Sequence, residues 1–277
     1  MPIRRLLTHR LFMTGLVLVL AVAGAAFAAD WIASASPTRM NMRARFTPPW
    51  DARFLLGSDA FGRDVLSRLV HGARVSLRIG ALVVVVAGIL GTLIGAAAGY
   101  FRRLDGPLMR VMDAFMAFPS ILLAIAIAAA LGPSETNVVA ALAAVYTPRT
   151  ARIVRAAVLQ LRESEFVQAA RVSGAGDAFI LRRHILPNCS APLTVQLTFV
   201  FANAVLAEAV LSFLGVGPPP PTPTWGNMIA DGRNFIREAP WITLAPGIAI
   251  SVTVLGLNLL GDGLRDILDP RMKVAQG

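Results

Sequence analysis

Residues 162–188 read RESEFVQAARVSGAGDAFILRRHILPN, the one long internal stretch that is polar yet patterned like a folded element. Glu163 and Glu165 stand in the opening turn of a first helical pattern, where carboxylates favour the positive end of the helix dipole. Phe166, Ala169, Ala170 and Ser173 then recur at helical spacing and predict one smooth face. Gly174 supplies the stop and Asp177 the cap of a second helix, whose last turn carries Arg182, Arg183 and His184 before Pro187 ends it. A first helix of about eleven residues is about 16 Å long at 1.5 Å per residue, too short to cross a bilayer and long enough to lie in a groove of a partner. Its small Ala169 and Ala170 would let another backbone come close. On pattern alone, a solvated loop with incidental helicity is the competing reading.

What surrounds this stretch is apolar. The 277 residues are 56% hydrophobic and 15% charged, with a mean hydropathy of +0.64, too apolar for a soluble domain of this size. The chain therefore reads as an all-α membrane protein with six transmembrane helices. A formal net charge of +10 could suggest nucleic acid, but the basic residues fall between apolar blocks rather than on a polar domain, so arginines that flank spans and meet anionic lipid account for it and nucleic acid is excluded. Cys189 stands alone, and His9, His71 and His184 lie in separate segments without ligand spacing, which leaves no metal site to expect.

The first span is expected over 11–29 behind Arg4, Arg5 and Arg10. A cleaved signal ending at Ala26-Phe27-Ala28 is the alternative to an uncleaved helix with its N-terminus in the cytoplasm. Residues 1–33 thus form a tail and first helix, and 34–73 an external loop. Six arginines in that loop (Arg39, Arg43, Arg45, Arg53, Arg63 and Arg68) conflict with an outside location, and Asp51, Asp59 and Asp64 offset them only in part. Residues 62–72 alternate at helical period, as an interfacial helix would. A core of five helices is expected over 74–270, followed by a cytoplasmic tail at 271–277. Its second span, 75–100, carries a Gly91-x-x-x-Gly95 pair for close helix packing, and its third, 111–131, contains Pro119 and has Asp113 near the inner end as partner for a nearby arginine. The fourth runs from Val138 through Pro148, with Arg149, Arg152 and Arg155 on one face that meets either lipid phosphate or a polar pathway. The fifth covers 192–216 and the last 242–260, joined by a proline-rich external loop that is stiff where it begins. Trp225 and Trp241 suit an outer aromatic belt.

Asn203 and Glu208 lie inside the fifth span, and polar groups at membrane depth are candidate functional sites. For Glu208 the competing role is a structural hydrogen bond to another helix. A phosphate loop needs Gly-Lys followed by Ser or Thr, and the only lysine, Lys273, follows Met272 and precedes Val274. No Gly-x-Ser-x-Gly elbow or His-Glu-x-x-His is present, so no enzyme chemistry is expected of the chain and energy has to come from elsewhere. An ion-gradient-driven secondary transporter is the alternative, with Glu208 as its lone candidate acid.

Gln168-Ala169-Ala170, Gly174 and Ile185-Leu186-Pro187 stand at the spacing of the cytoplasmic loop motif of ABC importer permeases, with Gln168 where that family usually has Glu. Leu56 to Asp59 with Gly62 to Arg68, Ala117 to Ser120, Leu211 to Gly215, Thr224 to Met228 and Asn258 to Arg265 extend the match. Together they resemble the C-type permease subunit of the dipeptide, oligopeptide and nickel importers. The resemblance implies a type I importer permease fold in the bacterial inner membrane, with both termini cytoplasmic. It implies that Glu165, Phe166, Gln168, Ala169, Ala170, Arg171, Gly174, Ala175, Leu186 and Pro187 couple the chain to an ATPase. It further implies three kinds of partner besides membrane lipids: a homologous second permease, two ABC ATPase subunits holding ATP and magnesium, and an extracytoplasmic solute-binding protein that delivers a peptide or similar small solute. No cofactor is implied for this chain itself.

Overall fold

The computed structural model describes residues 6 and 8–268; Arg4, Arg5 and the tail expected at 271–277 lie outside them. The described residues are helical, without a named strand. α1 (Arg10–Phe27) and the single turn α2 (Ala29–Ile32) precede an irregular segment, and then α3 runs unbroken from Val65 to Tyr100. Asp64 starts it by accepting from the Leu66 and Ser67 amides at 3.1 and 3.3 Å, a side-chain cap for two of the orphan N–H groups. The interfacial helix expected over 62–72 and the span expected from Val75 are therefore one helix of 36 residues, about 54 Å long. It projects well past a hydrocarbon layer.

The third expected span is not continuous. α4 (Arg102–Met116) and α5 (Ser120–Leu131) meet at 89°, because Pro119 sits at the junction and the residue before a proline is pushed out of helical geometry. α4 is amphipathic, and its Asp105 and Asp113 reach the next long helix, α6 (Glu135–Arg162). Pro148 lies within α6. Among the described residues four helices are long and apolar enough to cross a membrane, and the bent α4–α5 pair would make five. α6 has the length, at 28 residues, but four arginines lower its apolar character.

After α6 come α7 (Glu165–Val172) and α8 (Asp177–Ile180), then a π turn (Leu181–Ile185), a 3-10 turn (Leu186–Cys189) and α9 (Ser190–Phe213). Pro187 therefore does not end the helical path. It occupies the first turn of the 3-10 segment, where a missing N–H costs nothing. α10 (Trp225–Gly232) and α11 (Trp241–Leu268) complete the chain.

The tightest packing is between α3 and α6. A Cβ on Gly91 would stand 2.6 Å from the Thr150 Cβ, and one on Gly95 2.4 Å from the Ala151 carbonyl oxygen, so these glycines bring the two backbones together as the spacing predicts. One apolar core joins α3, α5, α6 and α9. A second lies at the end opposite the 162–188 loop, among α1, α3, α9, α10 and α11. There Trp225 is buried, donating its indole N–H to the Leu69 carbonyl at 3.1 Å, and Trp241 donates to the Ser58 carbonyl at 3.1 Å. Trp225 is thus a core residue rather than a membrane-belt residue. The tryptophans with exposed rings are Trp31 and Trp50.

The same end reduces the conflict over the six loop arginines by two, while Arg39, Arg43, Arg45 and Arg53 are exposed. Arg63 and Arg68, both buried, bond Asp59 at 2.6 and 2.7 Å and Asp231 at 2.8 and 3.0 Å. Asp59 also accepts from the Phe61 and Arg63 amides at 2.8 and 2.9 Å. These arginines are neutralised inside the protein and carry little weight in a rule about charge at span ends. Asp231, far away in sequence, is the partner that a local tally of acids misses.

Candidate functional site

The 162–188 loop sits across the ends of α3, α6 and α9. Val167 is fully buried and packs with Ile180, Ile185 and Cys189 against Tyr100, Val154 and Val158, so one apolar side chain from each turn pins the loop to the bundle. Cys189 is a free, buried packing residue there. Polar contacts complete the attachment. The Arg162 guanidinium donates to the Gly99 and Tyr100 carbonyls at 3.0 and 3.3 Å. The Tyr100 hydroxyl donates to Asp177 at 2.6 Å. Asp177 is the first residue of α8, and the cap position belongs to Gly176. Arg171 lies over the Tyr100 ring at 5.9 Å, and its hydrogen bond with that hydroxyl raises its pKa further. Tyr100 is the common anchor, and sequence reasoning missed it because it stands at the end of another helix.

α7 has eight residues rather than eleven. It ends in a Schellman turn: the Ala175 amide donates to the Ala170 carbonyl and the Gly174 amide to the Arg171 carbonyl, each at 3.0 Å. The closing residue, Gly174, has φ +81°, a conformation in which a Cβ is strained. At 100° per residue, Val167 marks the buried direction, and Ala170 flanks it, half-buried against the loop core. The exposed face therefore consists of Glu165, Gln168, Ala169 and Val172, with Phe166 and Ser173 at its edge. The smooth face read from spacing is thus divided, since Ala170 turns inward. Val172 is 90% exposed and Phe166 44%, and Phe179 on α8 is exposed beside them, edge-on to His184 at 5.6 Å. Val172 and Phe179 were not singled out by spacing; the available signal was an apolar residue one helical turn beyond Ala169.

Each remaining candidate has a definite place. Glu165 is exposed at the first position of α7, and Gln168 folds back to donate to the Glu163 carbonyl at 3.2 Å. Ala175 and Leu186 are half-buried against the loop core, while Pro187 is exposed. Asn203 and Glu208 do not join this site. Asn203 is exposed on α9, donating to the Phe199 carbonyl at 2.8 Å while its own carbonyl accepts from Tyr146 at 3.2 Å. Glu208 is fully buried near the opposite end and accepts from Ser212 on its own helix at 2.6 Å. Ser76 of α3 and Thr224 flank it. Arg152 pairs with Asp113 and Arg155 with Asp105, so Asp113 has the arginine partner expected of it and two of the four α6 arginines are committed to α4.

The comparisons agree with this architecture. Residues 87–274 match the family model described as binding-protein-dependent transport system inner membrane component. Residues 3–49 match the N-terminal TM domain of oligopeptide transport permease C. A putative peptide transport system permease protein of Brucella abortus is 57% identical, over 98% of this chain and 91% of that one. The di/tripeptide transport system permease protein of Pseudomonas aeruginosa is 48% identical, over 94% and 88%. The crystal structure of an amino acid ABC transporter with histidines shares the fold with a TM-score of 0.54 at 18% identity, covering 74% of this chain and 94% of that one. These matches favour an ABC permease over an ion-gradient-driven transporter, and a transporter component over an enzyme. The chain belongs to the family of binding-protein-dependent transport system inner membrane components and is a multi-pass permease subunit of an ABC transporter.

Proposed function

We propose that this subunit imports di- or oligopeptides and that α7 is the coupling helix through which ATPase subunits drive it. The observation that carries the coupling role is an eight-residue helix with an exposed Val172, held to three long helices by buried Val167 and the Tyr100 contacts. An exposed apolar knob on a rigid mount is what a groove in a partner can grip. The names of its relatives support peptides as the solute class. Two ABC ATPase subunits, carrying ATP and magnesium, meet the loop from the cytoplasm, which places both termini there. A homologous second permease completes the pathway, and an extracytoplasmic binding protein docks at the opposite end, against 34–73 and the loop before α10. Hydrolysis would shift the population between inward-open and outward-open states through the loop.

The test is a disulfide. With Cys189, the single native cysteine, changed to alanine, Val172→Cys is expected to crosslink to cysteines placed along the groove of the ATPase in membranes from cells expressing the whole transporter. Crosslinking that varies with nucleotide supports the role. A thiol at 172 that reacts freely with an impermeant reagent from outside the cell overturns it.

A further inference from the structure

α9 packs against both α6 and α11, leaving between them a cleft of about 600 Å³. It opens beside Asn188, at the end of the bundle that carries the 162–188 loop, and runs toward the middle of α6. Apolar side chains such as Ile153, Val195 and Phe199 form its walls, and Arg149, Gln196 and Arg265 supply its polar groups. Arg149 and Arg265 are exposed, and two facts single out Arg149 and Gln196. Arg149 is the α6 arginine without an ion pair among the described residues, whereas Arg152 and Arg155 are held by acids of α4. Gln196 is only 6% exposed, yet its amide has no hydrogen-bond partner among the described residues. The amide lines the cleft and is free to pair with whatever occupies it.

The geometry points to this cleft as a binding station for a short peptide on its way through the transporter, with Arg149 taking the C-terminal carboxylate and the Gln196 amide pairing with a peptide bond. The inference rests on the peptide reading proposed above. An amide carries both a donor and an acceptor and so matches a peptide group edge to edge. A guanidinium forms a two-pronged bond with a carboxylate. The volume falls in the range of small-ligand pockets, and apolar walls with a few convergent polar groups suit side chains of varied shape. A lipid acyl chain would leave the Gln196 amide unpaired, so the cleft's chemistry favours the peptide over a phospholipid. Arg149, itself exposed, stands midway along α6, which puts the carboxylate about halfway along that helix and the cleft mouth next to the loop.

The experiment uses the complete transporter, purified with its partner subunits in detergent, in a Cys189→Ala background carrying Ala157→Cys on the cleft wall. Reaction of the introduced thiol with a charged methanethiosulfonate reagent is followed with and without alanyl-alanine. The dipeptide is expected to slow labelling, its C-terminal amide to do so far less, and a thiol from Leu93→Cys on the outer surface of α3 to be unaffected by either. Arg149→Gln is expected to raise the dipeptide concentration for half-protection by about tenfold or more, with Arg149→Lys restoring part of it. Gln196→Leu should weaken protection by dipeptide and its amide alike. Protection that is absent, unchanged in Arg149→Gln, or produced by phosphatidylglycerol in place of dipeptide overturns the station. Uptake of labelled alanyl-alanine by the intact transporter with its binding protein is measured alongside. Absent uptake overturns the peptide reading, whereas uptake without protection overturns the station alone.

Discussion

Gly174 shows how much a single backbone angle can decide. At φ +81° it closes the Schellman turn that aims α7 away from α8, and no heavy atom lies within 4 Å of where its Cβ would be. Space is therefore not the constraint; conformation is. A β-branched residue in the left-handed region costs on the order of 1–2 kcal/mol, enough to redistribute the turn without unfolding the bundle. Gly174→Val is expected to leave the protein in the membrane and ATP hydrolysis running while peptide uptake falls severalfold. Paired ATPase and uptake assays in proteoliposomes check this, and equal turnover per peptide in both proteins would refute it. The sequence made this residue legible because glycine at a helix stop has a specific geometric use. Tyr100 was not legible. Its value lies in holding Asp177 and Arg171 together across more than seventy residues of chain, and no local pattern encodes that.

At the level of elements, long helices were readable and their interruptions only partly so. α3 and α6 meet where the Gly91 and Gly95 spacing says they should, because close packing in lipid needs small residues at fixed intervals. Gly95→Leu would drive a side chain into the Ala151 carbonyl, 2.4 Å from the Cβ position. Overpacking of this kind costs about 1–3 kcal/mol. The expected outcome is a lower apparent melting temperature in detergent and less assembled transporter, read by thermal-shift and size-exclusion measurements; an unchanged profile would show that the two helices can part without penalty. The α4–α5 corner escaped the sequence reading for a physical reason. Apolar character continues through Ala117, Phe118 and Pro119, so hydropathy sees one span while the backbone turns by 89°. Pro187 misled in the opposite direction, since a proline in a first turn is compatible with continuing helix. The exposed face of α7 was legible in kind but rotated by one position, because the sequence does not say which of two small-residue stripes meets the body.

Across the whole molecule, the two ends are built on different physics. The end bearing the 162–188 loop is joined by apolar contacts with a few hydrogen bonds. The other is locked by buried ions, with Asp59 accepting from both Arg63 and Arg68. Removing one partner of such a network strands the other charges and costs about 3–5 kcal/mol. Asp59→Ala is therefore expected to deplete the folded protein far more than Arg53→Ala, whose guanidinium is largely exposed beside Asp51. Quantifying both variants in isolated membranes checks this, and comparable abundance would mean the ion cluster is dispensable. From Asp177 the helical path continues through a π turn and a 3-10 turn into α9 and reaches Phe213, 37 residues in all, about 55 Å. If the proposed coupling role holds, a push at the foot of this column would reach its far end along one helical path, with the wider coil at 181–185 as the point where that path changes pitch.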